Sequence, residues 1–461
     1  MAKKLSMVLV LAAVLLFSFS VFAAETKWDL GGQTIYIQTR WEDVTPLGPR
    51  GAYNWYQPDE RLKAHIESVE KLFNCKIEFV YRGNEATAFQ AIQNGVLAGE
   101  TNVHFAFFLG GFGAPAAGGY LLPLNDILDE EFWQSYPKVF QFDIGIGDSV
   151  GETLYGFEAL GFSRQARMMF WNKTMFEREG IESLYDIYDR GEWTWDTFYE
   201  IARRLTKDID GDGVYDQYGL GSFDFMNEVY DFVASNGATF SQKTADGQLV
   251  FDLLRPEVLE TFEFMQKLWQ EGIWSNSANY GNTGMFLDIA TRIAEPSRRA
   301  TMFDPYPYEW GMIITPQGPN GKGQVSLDTR SVGVIPANVQ NPREVIEVVS
   351  ALFQFRAPYI EDLEEWEENY WGQYYDWVWD FESLEQMQYA TYNSVLVPDH
   401  IELRAMVAIA KPSASDIFTQ IVKEGANAAS TFAEWEPVIQ GILNDLVKTG
   451  DKIRNQRLGV Q

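Results

Sequence analysis

The residues best suited to chemistry lie in one short run, Asp208-Ile-Asp-Gly-Asp-Gly-Val-Tyr-Asp-Gln-Tyr-Gly219. Asp208, Asp210 and Asp212 alternate, and Gly211 and Gly213 let the chain curl between them. Carboxylates crowded on one tight loop repel one another unless a cation sits among them. A hard cation with oxygen ligands suits this loop, and calcium best tolerates mixed carboxylate and carbonyl donors. On this reading Asp208, Asp210 and Asp212 are ligands, Val214 offers its backbone carbonyl, and Asp216 binds directly or through water. Position 12 of the run, where an EF-hand carries a bidentate Glu, is Gly219, so this is not a standard EF-hand. The alternative is a solvated acidic turn. An amphipathic stretch over 195–206 precedes the run and Tyr218-Gly-Leu220 follows it. The expected role is therefore a structural Ca2+ staple between a helix and a strand.

Other chemical constellations are missing from the sequence. There is no HExxH and no GxSxG. The three His, at 65, 104 and 400, have no metal-ligand spacing, and the single Cys75, after Phe73-Asn74 and before a strand-like run, reads as a small buried apolar group. Gly110-Gly-Phe-Gly113 lacks the spacing and the Lys of a phosphate loop. With 65 acidic residues, a pair of carboxylates spaced for glycoside hydrolysis would always be at hand, so an exported calcium-stabilised glycoside hydrolase stays open as an alternative. A calcium-dependent adhesion module would need repeated acidic loops, and there is one.

The elements that must position these residues follow from periodicity. Gln33–Gln38 reads as a strand, 59–73 as a helix with Leu62, Ile66, Val69 and Phe73 on one face, and Lys76–Tyr81 as a second strand. A helix over 86–98 leads to the apolar run Val103–Phe108, which fits a buried parallel strand. This β-α-β-α-β order implies an open parallel sheet, with ligands beyond the carboxyl ends of its strands. Trp41, Glu42 and Phe112 fall there. Further strands are expected at 154–157, 165–172, 310–315 and 331–336, and helices at 227–235, 256–269, 342–355, 417–430 and 436–448. Trp366, Tyr370, Tyr374 and Val378 share a helical face and read as core.

Residues 1–24 look like a cleaved signal: Lys3 and Lys4, an apolar run over 5–22, and Val21-Phe-Ala23 before the cut. No cysteine follows the apolar run to carry a lipid. An exported, periplasmic, soluble monomer is expected. A formal charge of −29 argues against nucleic acid and anionic membranes as partners.

Taken in order, several segments resemble the extracellular solute-binding proteins of ABC importers, of the maltose-binding-like, carbohydrate type. They are Leu154-Tyr-Gly-Phe157, Met169-Phe-Trp-Asn-Lys-Thr-Met-Phe-Glu-Arg-Glu-Gly180, Trp193-Thr-Trp-Asp-Thr-Phe198, Leu205–Gly219, Ala234-Ser-Asn-Gly-Ala238 and Asn341-Pro342. The resemblance implies an α/β, two-lobed periplasmic-binding-protein fold. Each lobe would be an open, mostly parallel sheet flanked by helices, joined by a multi-strand hinge. It places crossovers near Gly161–Gln165 and Leu327–Arg330, and a third after the aromatic segment. The expected lobes are 25–163 with 329–390 and 164–328 with 391–461. The implied function is capture of a sugar or oligosaccharide between the lobes and its delivery to a membrane permease, without turnover. Aromatic faces and Arg forks suit sugar rings and hydroxyls. The expected contacts are Trp41, Glu42, Phe112, Arg164, Phe225, Arg298 and Arg330. For each, the alternative is core packing or a salt bridge.

Overall fold

The computed structural model describes residues 28–39, 60–83, 85–108, 112–136, 147–150, 153–158, 166–245, 249–294, 296–323, 325–327, 332–353, 356–375, 377–393 and 411–458. Thirteen strands lie among them. In chain order they are β1 (Thr34–Thr39), β2 (Lys76–Tyr81), β3 (Phe105–Phe108), β4 (Gly147–Val150), β5 (Thr153–Glu158), β6 (Arg167–Asn172), β7 (Tyr218–Gly221), β8 (Ser241–Lys243), β9 (Leu249–Phe251), β10 (Trp274–Ser275), β11 (Thr283–Ile289), β12 (Trp310–Ile313) and β13 (Val332–Val334).

Two sheets organise two lobes. The first runs β2-β1-β3-β13-β5-β4, with β1, β2 and β3 parallel and β13 antiparallel to both of its neighbours. The second runs β10-β7-β11-β6-β12, with β10, β7 and β11 parallel and β6 antiparallel to β11 and β12. The short hairpin β8-β9 stands apart.

Strands β3, β6 and β11 are apolar through their centres because helices cover both of their faces. Successive side chains of a strand point to opposite faces. Thus Met169 and Trp171 of β6 join the core beneath helices Trp195–Leu205 and Pro256–Gln270, with Met285 and Leu287 of β11. Met168, Phe170 and Phe286 point the other way. That second core runs on, without interruption, to Ile35, Ile37, Phe105 and Phe107 of the first sheet. Ala106, Phe108 and Val332 form a smaller cluster on the opposite face of the first sheet. Cys75 is buried, and burial pushes its thiol up to about 11.

The tail is divided differently from the expected split at residue 390. Helix Phe381–Asn393 and the residues just before it pack on the second sheet: Asp380 pairs with Lys173 at 2.8 Å, and Ser383 Oγ accepts the Met312 amide of β12 at 3.0 Å. The last helix, Ala428–Leu458, begins in the second lobe, where Phe432, Trp435, Ile439 and Leu443 are buried in its core. Its end reaches the first lobe, where Arg454 donates to the Tyr155 hydroxyl of β5 at 3.4 Å. The single helix expected over 417–430 is two helices, Ala414–Val422 and the start of Ala428–Leu458, because Asn427 caps a new one by accepting the Ser430 amide at 2.9 Å. Strands β4, β10 and β11 and the β8-β9 hairpin had no counterpart in the periodicity reading, whereas β7 stands where a strand was expected after the acidic loop. In the aromatic segment Tyr374 is buried as expected, with Trp371 buried beside it and Trp366 and Val378 packed at the edge of the core.

Candidate functional site

Register fixes which ends of the two sheets face each other. The chain leaves the first sheet at Glu158 and enters the second at Ala166 and Arg167. It returns between Leu327, whose carbonyl accepts the Arg167 amide at 2.7 Å, and Val332. Val332 is paired with both Glu158 and Phe108. Arg167 is paired with Ile289 at the carboxyl end of β11. The carboxyl ends of β1 and β3 therefore lie on the same side of the two crossings as the carboxyl ends of β7 and β11 on the other lobe, where open sheets place their ligands.

On the first lobe that rim carries Gln38 and Thr39. Gln38 is 1 % exposed, its Nε2 donates to the Thr39 carbonyl at 2.6 Å, and its Oε1 has no hydrogen-bond partner among the described residues. Trp41 and Glu42 follow β1 in sequence but lie outside the described residues, as do Arg164 and Arg330. Arg298 falls on the helix Pro296–Met302. Phe112 is fully buried, in one cluster with Ala106, Phe108 and Val332, so its ring is core and not an open stacking face. Phe225 opens the helix Phe225–Ser235, but its ring packs on Trp274 with centroids 5.5 Å apart, and the Lys423 ammonium lies 3.9 Å from its centre. The chain's own cation covers that face, so Phe225 offers no free platform either.

The densest polar group on this rim was not anticipated. Arg167, the first residue of β6, is 1 % exposed and donates from Nε to Asp231 Oδ2 at 2.7 Å and from Nη2 to the Leu287 carbonyl at 3.3 Å. Its Nη1 lies 3.8 Å from Asp224 and 3.8 Å from Asp288. Asp288 also pairs with Arg292 at 3.2 Å. Glu228, fully buried, accepts the amides of Phe223 and Asp224 and the Ser222 hydroxyl. Burial pushes Asp231 up to about 7 against the pull of Arg167, and pushes Glu228 up to about 7 against its backbone donors. Burial also works against the Arg167 charge, but the carboxylates of Asp231, Asp288 and Asp224 outweigh it and hold the guanidinium protonated. A signal existed in the sequence: charged residues at the head of the apolar run Arg167–Trp171 and inside the apolar turn Val229–Val233 need partners when buried.

The acidic loop lies away from this rim. It joins helix Trp195–Leu205 to β7, its neck closed by an isolated bridge between Lys207 and Gln217. Asp208, Asp210 and Asp216 each bring one oxygen within 4.8 Å of the others. Asp212 is not in that set; its Oδ1 accepts the Val214 amide at 2.8 Å. Gly211 and Gly213 have φ of 79° and 90°, a conformation that glycine adopts without strain. Their amides bond the two oxygens of Asp208 at 2.7 and 2.8 Å. The loop is thus shaped by its own carboxylates, and three of them still converge. Among the described residues it is the one group of three or more such ligands. A cavity of about 440 Å3 lined by Trp171, Lys173, Phe176, Glu177 and Glu309 lies at the opposite pole of the second sheet from Arg167. No helix among the described residues is long and apolar enough to cross a membrane.

The family described as bacterial extracellular solute-binding protein matches residues 61–354. Lipoprotein LipO of Bacillus subtilis is 25 % identical over 180 residues, a match spanning 34 % of this chain and 36 % of LipO. Solved structures of similar fold include the ABC substrate-binding protein Lmo0181 of Listeria monocytogenes in complex with cycloalternan, at 14 % identity and a TM-score of 0.53 over 93 % of this chain and 100 % of that one. A cyclo/maltodextrin-binding protein complexed with maltotetraose is similar at 15 % identity and a TM-score of 0.57, over 91 % of this chain and 96 % of that one. The maltose/maltodextrin-binding domain MalE of Bdellovibrio bacteriovorus bound to maltotriose gives 16 % and 0.51, over 91 % and 99 %.

Proposed function

From the premise that this chain belongs to the bacterial extracellular solute-binding protein family, we propose that it captures a sugar or oligosaccharide between its lobes and passes it to an ABC permease without chemical turnover. The observation that carries this reading is the pair of sheet edges, carboxyl ends of β1 and β3 against those of β7 and β11, across two strand crossings. Few backbone angles need change at such crossings for rigid sheets to close. A ligand touching both lobes binds the closed state better and shifts the population towards it. Trp41 and Glu42, which follow β1 in sequence, are the proposed first-lobe contacts. Arg164 and Arg330 lie in sequence within the crossings, and Arg298 stands on the helix after β11. Asp224 and Asp288 are added on the second lobe.

The acidic loop is proposed as a structural calcium site. Asp208, Asp210 and Asp216 fit a hard cation by donor type and convergence, with Val214 supplying its carbonyl and Asp212 reached only through water. The bound ion would fix the turn between helix and strand. The reading also takes the protein to act as an exported monomer without nucleic-acid partners.

A thermal-shift screen against neutral oligosaccharides tests the function. At least one sugar raises the melting temperature, is recovered intact, and binds more weakly after Trp41→Ala, by ~1–3 kcal/mol for a lost aromatic contact. Hydrolysis that survives repurification would move the reading to the glycoside hydrolases.

A further inference from the structure

We propose that Arg167 is a positioning residue that sets the charge class of the ligand, making the second-lobe rim an acceptor for hydroxyl- or amine-bearing sugars that excludes acidic ones. The inference rests on the saccharide reading above.

An arginine in a binding rim ordinarily suggests an anionic ligand, because its fork matches a carboxylate or phosphate. Here the fork is already used. Nε is taken by Asp231 and Nη2 by the Leu287 carbonyl, and the side chain is 1 % exposed. What remains is Nη1, placed 3.8 Å from Asp224 Oδ2 on one side and 3.8 Å from Asp288 Oδ1 on the other. That distance exceeds a hydrogen bond. An oxygen about 2.8–2.9 Å from both partners completes the triangle, accepting from Nη1 and donating to a carboxylate. A sugar hydroxyl does both at once; a carboxylate or phosphate cannot donate.

Charge points the same way. The carboxylates nearest the opening are those of Asp224 and Asp288, while Arg167 and the carboxyls of Asp231 and Glu228, raised by burial, lie behind them. The Asp224 side chain is 39 % exposed and opens the group to solvent. An anion brought to this opening meets repulsion strengthened by the low dielectric around it. Hydroxyl and ammonium donors meet charge-assisted acceptors. Arg167 does this indirectly: it gathers carboxylates from β11, from helix Phe225–Ser235 and from the turn ahead of that helix.

The test compares trisaccharides of three kinds by calorimetry on the full chain: neutral maltotriose and mannotriose, the amine-bearing glucosamine trimer, and the acidic galacturonate trimer. A neutral or amine-bearing trimer is expected to bind at least about tenfold tighter than the galacturonate trimer. Asp224→Asn should narrow that ratio severalfold with the melting temperature kept. Arg167→Lys, which keeps the charge and loses the fork, should weaken neutral binding and narrow the ratio as well, a selectivity change that mere loss of packing would not produce. Galacturonate binding as tight as its neutral counterparts overturns the inference and leaves the saccharide function standing. A ratio unchanged by Asp224→Asn also overturns it. If no trimer of any kind binds, the saccharide reading fails and takes this inference with it.

Discussion

At the scale of single residues, the protein sets two acidic groups to opposite uses. In the 208–216 loop exposed Asp210 and Asp216 converge with half-buried Asp208, and the proposed calcium ion would answer their mutual repulsion. At 100-fold excess over its dissociation constant, such an ion would stabilise the fold by about 2.7 kcal/mol. A chelator is expected to lower the melting temperature, and Asp210→Ala to abolish that response; melting indifferent to chelator would leave the loop a turn closed by its own carboxylates. Glu228 is buried instead, and its folded pKa of about 7 lies above the ordinary glutamate value of 4.5. Between those two values the folded state holds a proton that the unfolded state has released. Stability therefore falls as pH rises through this window, by about 1.4 kcal/mol per pH unit where the difference is one proton. His104 works the other way: burial lowers it from 6.5 to about 4, so its contribution is lost as pH falls through the same range. In the wild type the slopes of Glu228 and Asp231, both raised to about 7, together outweigh that of His104. In Glu228→Gln only Asp231 still opposes His104, so the fall of stability with rising pH should flatten between pH 4.5 and 6.5 in denaturant titrations.

At the scale of elements, helix Ala428–Leu458 does more than cover apolar surface. Glu436 accepts the Leu253 amide at 2.6 Å and Gln440 accepts the Phe251 amide at 2.8 Å. These side chains supply acceptors to the last residue of β9 and to the loop after it. The double variant Glu436→Ala, Gln440→Ala should cost ~1–3 kcal/mol for each amide left buried without a partner. Hydrogen exchange should quicken first at Phe251 and Leu253. Exchange spread evenly over the lobe would mean that the helix acts through packing alone.

At the scale of the whole molecule, the same helix is a third connection between the lobes, beside the two strand crossings. Its start is buried in the second-lobe core, and at its end Gly450 lies against the backbone of Ala117 and Gly119. A Cβ on Gly450 would sit 1.9 Å from the Ala117 carbonyl oxygen, whereas one on Gly441, earlier in the helix, would meet nothing within 4 Å. Gly450→Leu should therefore force the lobes apart at this point and cost ~1–3 kcal/mol through overpacking. Gly441→Ala should be neutral or stabilise by up to about 1 kcal/mol, since alanine favours a helix. Small-angle scattering adds the functional test: a ligand that raises the melting temperature should also compact the wild type, and Gly450→Leu should change the extent of compaction. Equal melting of both variants would remove the helix end from the lobe contact.

What the sequence alone determined is what depends on neighbours in the chain. The 3.6-residue period over 59–73, the alternation in Lys76–Tyr81 and the Asp/Gly spacing of the 208–216 loop carry their own geometry, and each of these elements forms near its expected bounds. The ordered segments from Leu154 to Pro342 were enough to point to the family. Tertiary structure decided whatever depends on partners far apart in the chain. Strand β11, Thr-Gly-Met-Phe-Leu-Asp-Ile, has no polar alternation because both its faces are covered, so no periodicity marks it. Phe112 and Phe225 have the same local signature as a sugar platform, yet one ring is closed over by the first-lobe core and the other by Lys423, nearly 200 residues away in the chain. Arg167 meets Asp231 across 64 residues and the Leu287 carbonyl across 120. A buried charge can show in a sequence that it needs a partner, but only the packing of β6, β11 and helix Phe225–Ser235 chooses which one, because burial makes the unpaired alternatives too costly.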